Sequence, residues 1–499
     1  MLNNEIKKYK ENQDLIKNYG YALFVMSFDE ATDCPKKGKE YSLDVQNFFQ
    51  QKLINITTSD DYKNNVFYLY EHKDELDAFL RMQIEREYKE LDKLLRVPKD
   101  ELFAHFDNLN RSQMEWREGR ETLDFSGFEK ELEELIAYLK KYVKWMPVSF
   151  DEDYDVLLDE CEDNFIVKKY DEFFNLLKEE IVPLCQKIIP LDKKYNKKLD
   201  ELKFDIPTQR KLTKLILDKM EYTDEVGCIR ETIHPFTNGA HANDVRITTS
   251  YSESQLFSNL YSVMHEAGHA LYELGQDEKL NGTNLFGGTS MALHESQSRF
   301  YENYLGRSKS FVKFLTPILK DLFKEELNDI TEDDIFYYVN DVSNQLKRTE
   351  ADELTYSVHI LIRYEIEKKL FRNEISVSEI DNEFNKLFET YLGNRPKDKK
   401  EGCFQDVHWT STFGYFPTYA LGNAIAAQMY YKMQEELDLD ALMEKGNFGP
   451  INVWLRQNVH QYGKTKKNEE IIRIASGNDF DPKYYVKYLK DKFTKIYNI

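Results

Sequence analysis

Helix breakers are scarce along this chain. Its 499 residues include only 20 glycines and 12 prolines, under the usual shares of about 7% and 5%. Apolar residues such as Phe128, Leu132 and Leu135 recur at steps of three and four, with lysine and glutamate between them, which is typical of amphipathic helices. With no internal repeat or linker-like tract, the sequence predicts one mainly α-helical domain over residues 1–499.

Composition excludes several classes of protein. The 68 basic and 89 acidic residues give a net charge of −21, which disfavours nucleic acid as a partner. The five cysteines are scattered and form no Cys-x-x-Cys pair, a pattern typical of reduced thiols. No apolar signal core or run long enough to span a membrane is present in the sequence. We therefore expect a cytoplasmic protein with no membrane partner.

One stretch departs from the helical pattern. Proline, glycine and asparagine are followed by an alternating β-branched run, so Val245–Thr249 is predicted as a strand in a small sheet. Ser252 and Gln255 then have the spacing of a capping box, and Gly275 is a natural helix stop. We expect a helix between these points.

That helix contains His265-Glu266-Ala267-Gly268-His269. Histidines four residues apart lie one turn apart on the same helix face, so both rings can bind one ion. Glu266 cannot share that coordination but can flank a reacting water. Two surface histidines are the plain alternative, yet the motif lies among apolar residues, which favours a hydrolytic zinc site.

Glu295 is the candidate third ligand. It follows His269 by 26 residues and lies early in a second predicted helix, from near Ser290 to Gly306. A surface ion pair between Glu295 and Arg299 is the alternative. Two imidazoles and one carboxylate would leave zinc with a net positive charge, which acidifies its water. Glu266 as general base then makes amide hydrolysis the expected reaction.

The chain resembles the carboxypeptidase Taq family of metallocarboxypeptidases, which is related more distantly to angiotensin-converting enzyme and the neurolysin group. Six blocks carry the resemblance, in order along the chain: His234-Pro235-Phe236, Asp244-x-Arg246-x-Thr248, His265-Glu266-x-x-His269, His294-Glu295-Ser296-Gln297, Arg348-Thr-Glu350-Ala351-Asp352 and Gly402-Cys-Phe-Gln405-Asp406-Val-His408-Trp409.

This resemblance implies a large clefted helical peptidase fold with a small sheet beside the zinc helix. It also implies a homodimer that uses Zn²⁺ or Co²⁺ to remove single residues from peptides with a free C-terminus, with broad specificity. By likeness, His265, His269 and Glu295 bind the metal and Glu266 is the base. Two positions depart from the family pattern: Lys347, which is commonly apolar, and the block around Phe28 and Cys34, where tryptophan and methionine are usual.

An enzyme that acts at C-termini needs a cation for the substrate carboxylate, preferably arginine. Arg348 is the first candidate, with an internal salt bridge as the alternative. Arg246 is the second, although pairing with Asp244 is favoured for it. Thr248, Thr249 and the backbone of their strand offer another contact, by strand addition to an extended peptide.

The remaining candidates for substrate binding are His234, which Pro235 orients, and His408. His294 is expected to support the site without binding metal, because helix neighbours point about 100° apart. Tyr415 and Tyr419 are candidate donors to an oxyanion. They lie in a segment predicted as a mobile loop, which leads into a helix over Ala424–Lys432.

The sequence thus predicts a metal-dependent carboxypeptidase. The enzymatic alternative is a zinc peptidyl-dipeptidase or oligoendopeptidase, which would place its carboxylate anchor farther from the metal or lack one. A metal-stabilised scaffold is the non-enzymatic alternative, and it is disfavoured because it has no use for Glu266.

Overall fold

The computed structural model describes residues 1–499 and is mainly α-helical, as the sequence predicts. Ten helices precede the sheet: α1 (Leu2–Ala31), α2 (Lys39–Thr57), α3 (Asp60–Glu71), α4 (Ala78–Arg96), α5 (Lys99–Thr122), α6 (Ser126–Trp145), α7 (Asp153–Cys161), α8 (Val167–Glu180), α9 (Val182–Ile188) and α10 (Ile206–Lys219). The strands are β1 (Ile229–Glu231), β2 (Thr237–His241) and β3 (Asp244–Thr249).

Eleven helices follow the sheet: α11 (Leu256–Leu274), α12 (Met291–Arg299), α13 (Lys309–Leu322), α14 (Glu332–Val339), α15 (Tyr356–Phe371), α16 (Ile380–Leu392), α17 (Phe416–Glu436), α18 (Leu439–Met443), α19 (Gly449–Asn458), α20 (Asn468–Ser476) and α21 (Lys483–Tyr497). Short 3₁₀ turns connect several of them. No helix is both long and apolar enough to cross a membrane.

The helices enclose two separate apolar cores. The larger core joins residues from α5 through α21 and contains the predicted α6 positions Phe128, Leu132 and Leu135, all nearly inaccessible to solvent. The smaller core lies among α1, α3 and α4, which we call, together with α2, the N-terminal lobe (residues 2–96). Its members are Tyr9, Tyr62, Val66, Leu69, Leu80, Ile84 and Leu91.

The three strands form one small sheet in the order β1-β3-β2. β1 pairs with β3 in parallel and β2 pairs with it antiparallel. Val245 and Ile247 of β3 are fully buried, because they point towards the body of helices. The predicted strand is therefore confirmed, and it is the central strand of the sheet.

Helix α11 begins later than the sequence predicts. The capping-box prediction is wrong, since α11 starts at Leu256 and Gln255 is its N-cap without a side-chain hydrogen bond. The Ser252 hydroxyl instead bonds to that of Ser254. Gly275 ends the helix as expected.

The predicted limits of the second helix, from near Ser290 to Gly306, are confirmed. The Ser290 side chain accepts a hydrogen bond from the backbone N–H of Leu293, and α12 begins there. Beyond Arg299 the chain continues as a π-helical segment, Phe300–Gly306. Residues of this segment contact α11, as Glu302 does at His265.

The prediction of a mobile loop around the two tyrosines is wrong. Helix α17 already begins at Phe416, with Pro417 in its first turn, where the missing N–H costs nothing. Gly414, with φ +85°, makes the turn before the helix. Gly422 lies inside the helix and is buried, because α17 packs there directly against α12.

Candidate metal centre

Three ligand-type side chains meet between α11 and α12. His265 and His269 face the same side of α11, and the Nε2 atoms of the two rings lie 3.7 and 3.5 Å from Oε2 of Glu295. The ligand atoms of all three residues lie within 4.8 Å of one another. The structure thus brings together the residues that the sequence motif singles out.

The opposite ring nitrogens of the two histidines are also held. Nδ1 of His265 lies 3.0 Å from a carboxylate oxygen of Glu302. Nδ1 of His269 lies 2.6 Å from Nδ1 of His294, whose Nε2 is 2.8 Å from Glu273. If each outer nitrogen donates along these contacts, both Nε2 lone pairs are free to face Glu295.

Arginines surround the two carboxylates. Oε1 of Glu295 accepts a 2.6 Å hydrogen bond from Nε of Arg299, while its other oxygen faces the histidines. Arg299 also donates to Glu302, which Arg307 contacts from its other side. Although burial opposes it, the charges of Arg299 and His265 hold the pKa of Glu295 well below its usual range. The ion pair considered as an alternative therefore coexists with the His-His-Glu group.

The donor set fits a metal ion. Bonds of about 2.0–2.2 Å to a tetrahedral ion place neighbouring donors roughly 3.3–3.6 Å apart, close to the 3.5 and 3.7 Å seen between the imidazoles and Glu295. Two nitrogens and one carboxylate are the ligand types that zinc and related ions accept. Burial lowers the pKa of His269 to about 3, which keeps that ring neutral.

Glu266 lies beside this group but points towards the sheet. Its carboxylate accepts a 2.6 Å hydrogen bond from the hydroxyl of Thr237, the first residue of β2. Burial raises the pKa of Glu266. An acid that is buried, held by one donor and adjacent to the ligand group has the position that a general base requires.

Arg348 occupies a second polar cluster, between the 348–350 turn and α17. Its Nε donates to Asp406 at 2.9 Å, and one terminal nitrogen lies 3.3 Å from the hydroxyl of Tyr356. Asp406 also binds the buried Arg363. Nη2 of Arg348 makes no hydrogen bond within the protein. Two guanidinium groups on one carboxylate leave a net positive charge.

His408, Tyr415 and Tyr419 lie together next to this cluster. Nε2 of His408 is 3.2 Å from the hydroxyl of Tyr419, and its ring stacks on Tyr415. Tyr419 also contacts the guanidinium of Arg348, 5.1 Å from its ring centre. Burial lowers the pKa of His408 to about 4, so its ring is neutral at neutral pH.

The Tyr356 ring connects the two clusters. It carries the hydroxyl that Arg348 contacts, and its face lies 4.3 Å from the guanidinium of Arg299. Arg299 in turn binds Glu295. The candidate carboxylate anchor is therefore separated from the ligand group by only two side chains.

Arg246 is engaged by other groups. Both of its hydrogen bonds go to Asp244, at 2.9 Å each, and its guanidinium lies over the rings of Phe24 and Phe28 in α1. Tyr21 of α1 donates to the same aspartate. The ion pair favoured from the sequence is present, and it joins the sheet to the N-terminal lobe. Phe28 packs there, at one of the positions that departs from the family pattern.

Two other sequence expectations meet different surroundings. His234 is exposed on the turn before β2, and its side chain makes no hydrogen bond. Strand addition at β3 is excluded, because β3 is paired on both sides and the Thr248 and Thr249 hydroxyls bind within the protein. Lys347 is exposed and pairs with Glu350.

Sequence reasoning missed three residues that support the group. Glu302 contacts the outer ring nitrogen of His265, Glu273 contacts the His294 ring that meets His269, and Thr237 holds the candidate base. Helical spacing offered a signal for two of them: Glu273 follows His269 by four residues, and Glu302 follows Glu295 by seven. Nothing local indicated Thr237, which reaches the site only through the fold of the sheet.

A His-Glu-x-x-His helix whose histidines meet a carboxylate from the next helix defines a metallopeptidase. The chain belongs to the carboxypeptidase Taq (M32) metallopeptidase family, which matches residues 8–493. It is thus a metallocarboxypeptidase, a hydrolase of peptide bonds that depends on a metal ion.

Known relatives match three quarters or more of the chain. Carboxypeptidase 1 of Bacillus subtilis is 38% identical over 99% of both chains, and thermostable carboxypeptidase 1 of Pyrococcus furiosus is 36% identical over 76% of both. The crystal structure of the M32 carboxypeptidase from Deinococcus radiodurans R1 superposes with a TM-score of 0.94 at 28% identity, covering 99% of this chain and 100% of that one.

Proposed function

We propose that this enzyme removes single residues from the free C-termini of short peptides, with broad acceptance of side chains. A zinc ion, or cobalt in its place, would be held by His265, His269 and Glu295. The observation that carries the proposal is the convergence of these three donors within 4.8 Å, with the buried carboxylate of Glu266 beside them. When bound, the ion supplies Lewis acidity.

In this proposal Glu266 moves the proton. Its carboxylate accepts the proton of the attacking water and later delivers it to the departing amine. Thr237 fixes the carboxylate by its 2.6 Å hydrogen bond. Glu302 and His294 orient the two imidazoles through their outer nitrogens, which keeps the Nε2 atoms directed at one point.

We assign the substrate's terminal carboxylate to Arg348. Its free Nη2 and the net positive charge of the Arg348–Asp406–Arg363 cluster support this assignment. His408, Tyr415 and Tyr419 are neutral donors beside it, and one of the tyrosines would stabilise the oxyanion. Arg246 would act indirectly, by holding the N-terminal lobe.

An extended peptide would lie along β2. This strand pairs only with β3, so its outer edge has unpaired backbone groups. Strand addition at this edge replaces the addition at β3 that the sequence suggested. His234 precedes this strand and remains a candidate contact to substrate.

Product analysis tests the proposal. The purified zinc-loaded enzyme is mixed with one peptide in three forms: with a free C-terminus, as the C-terminal amide, and with an acetylated N-terminus. We expect mass spectrometry to show stepwise loss of single residues from the first and third forms, and only slow cleavage of the amide. Release of dipeptides, or equal cleavage of the amide, would favour the peptidyl-dipeptidase or oligoendopeptidase alternative.

We also propose a cytoplasmic homodimer. The five cysteines are all free in the structure, which supports a reducing compartment. Several large apolar side chains of α2 and α5 are exposed, among them Tyr41, Phe48, Phe103 and Met114. Light scattering of the purified protein tests the dimer, and fluorescence imaging of a tagged chain tests the location.

A further inference from the structure

A cleft of about 700 Å³ separates the N-terminal lobe from the sheet. One wall is a single face of α1, because its lining residues follow helical spacing. The other wall is β2, and residues 282–286 close the cleft at one side. The α1 residues of this wall include Gln13, Lys17, Gly20, Phe24 and Ser27.

Strand β2 connects this cleft to the metal centre. Thr237, at the start of β2, bonds to Glu266, while His241 at its end lines the cleft. The four steps from Thr237 to His241 cover roughly 13 Å at about 3.3 Å each. Arg348 lies on the other side of the ligand group, beyond Arg299. A peptide anchored at Arg348 would therefore send its upstream residues into the cleft.

Lys17 is the only lysine or arginine among the residues that line the cleft. It forms no ion pair, whereas arginines described above, such as Arg299 and Arg246, each pair with a carboxylate. Its side chain crosses the cleft to Gly282, where an added Cβ would lie 2.5 Å from the lysine Cδ. Gly282, with φ +69°, thus provides both the turn and the room for this lysine.

The other polar groups of the cleft leave the lysine free to bind a ligand. Glu87 is the only acidic residue in the lining, and it accepts a hydrogen bond from Asn284 at 3.1 Å. Nδ1 of His241 accepts from the backbone of Asn243, so a neutral ring carries its proton on Nε2. Lys17 and His241 therefore both offer donors that no group of the protein engages, and the one carboxylate of the lining already accepts a hydrogen bond.

We propose that this cleft is a subsite for the upstream part of the substrate, in which Lys17 binds an acidic side chain about three to five residues before the cleaved bond. The inference rests on the proposed function, because that function sets the direction of the peptide. It makes the enzyme selective for acidic residues at a distance from the bond it cuts.

Matched peptides test the subsite. A series with acetylated N-termini and one common C-terminal residue carries glutamate or the isosteric glutamine at each upstream position in turn. We expect the wild-type kcat/KM to be about two- to fivefold higher for glutamate at one or two of these positions. This preference falls as NaCl is added, because salt screens the exposed pair.

Lys17→Glu is the decisive variant. It should reverse the preference, so that glutamine, and lysine still more, is favoured at the same positions. Lys37→Glu is the matched control: Lys37 is exposed in the turn after α1, forms no ion pair and does not line the cleft. It changes the net charge equally and should keep the wild-type preference. An unchanged preference in Lys17→Glu overturns the subsite.

Binding separates this inference from the proposed function. Two proteins are compared by calorimetry: the single variant Glu266→Gln and the double variant that also carries Lys17→Glu. Both measure the affinity for each peptide of a pair without turnover. A glutamate preference that depends on Lys17 supports the subsite even if the wild-type enzyme releases no C-terminal residue. Equal affinities for both peptides contradict it even if the enzyme is an active carboxypeptidase.

Discussion

Gly422 of α17 faces Glu295 of α12 without room for a side chain between them. A Cβ at position 422 would lie 2.8 Å from the Cβ of Glu295 and 2.9 Å from the carbonyl oxygen of Ala292. The helix that carries Tyr419 and the helix that carries the candidate third ligand are therefore held at a fixed, very short separation.

Gly422→Ala should disturb both stability and the metal centre. The added methyl group must push α17 away from α12, and overpacking of this kind costs about 1–3 kcal/mol in the free energy of unfolding. Because the Cβ of Glu295 is one of the atoms displaced, zinc affinity should fall as well. Urea denaturation and zinc titration measure the two effects. In the control Gly20→Ala, nothing lies within 4 Å of the new Cβ, and stability should rise by up to about 1 kcal/mol.

Glu266→Gln should keep the metal and lose turnover. The amide preserves the shape of the side chain but cannot accept the water proton, so kcat should fall by about 10²–10⁴-fold. Metal analysis should show one bound ion per chain, as in the wild type. Glu278→Gln, an exposed site just beyond α11, serves as the control. Near-normal turnover in the Glu266 variant would refute its role as the base.

Arg348→Ala should impair substrates with a free carboxylate selectively. Asp406 keeps its second partner, Arg363. The variant therefore loses the group that would bind the substrate carboxylate, but no buried charge is left unpaired. Loss of a buried charge pair to substrate costs about 2–5 kcal/mol, or at least thirtyfold in kcat/KM, while the slow cleavage of the C-terminal amide should change little. An equal loss on both substrates would mean that Arg348 has a structural role.

Glu302→Gln should weaken metal binding although Glu302 does not belong to the ligand group. Its carboxylate holds Nδ1 of His265 at 3.0 Å, and loss of such outer partners lowers metal affinity by about 10–100-fold. Competition with a zinc-binding dye measures the affinity. Glu325→Gln, at an exposed position, should leave it unchanged. Wild-type affinity in the Glu302 variant would contradict the prediction.

His460 should make the protein sensitive to acid. Burial lowers the pKa of this histidine to about 3, whereas an unfolded histidine has a pKa near 6.5. Between these values the unfolded chain binds the proton and the native protein does not, so stability falls as the pH drops below about 6.5 and is fully present above it.

The variant His460→Gln removes this proton. Its loss of stability between about pH 7 and pH 5 should be smaller than that of the wild type by roughly 2 kcal/mol. Urea denaturation at the two pH values measures the difference. Because the His460 ring donates to Gln297, glutamine is the replacement that can keep a donor. Identical pH dependence in the two proteins would show that another group controls acid stability.

Local patterns were sufficient for most of the centre. The spacing of His265 and His269 fixes their common helix face, and Ser290 marks the start of the helix that presents Glu295. These predictions succeeded because they depend on helix geometry, which the sequence encodes over a few residues. The strand around Val245 was found because the alternation of a strand is also encoded over a few residues.

The failures involve contacts between distant segments. The Ser252 capping pattern predicted a helix start that lies before the observed one. The glycines around Tyr415 and Tyr419 suggested a loop, although Gly422 allows the close packing of α17 on α12. The central place of β3 depends on pairing with β1 and β2, which periodicity does not encode. Thr237 was missed because only the sheet brings it to Glu266.

Because residues 2–96 have a separate small core, peptide selection and bond cleavage are assigned to two separately packed parts of the chain. Bond cleavage belongs to the large body, whereas the wall that selects a peptide belongs to a lobe with its own packing, joined to the sheet by Tyr21, Asp244 and Arg246. Substitutions on the cleft face of α1 can therefore redirect the choice of peptides while the hydrolytic machinery stays untouched, so selectivity can evolve independently of chemistry.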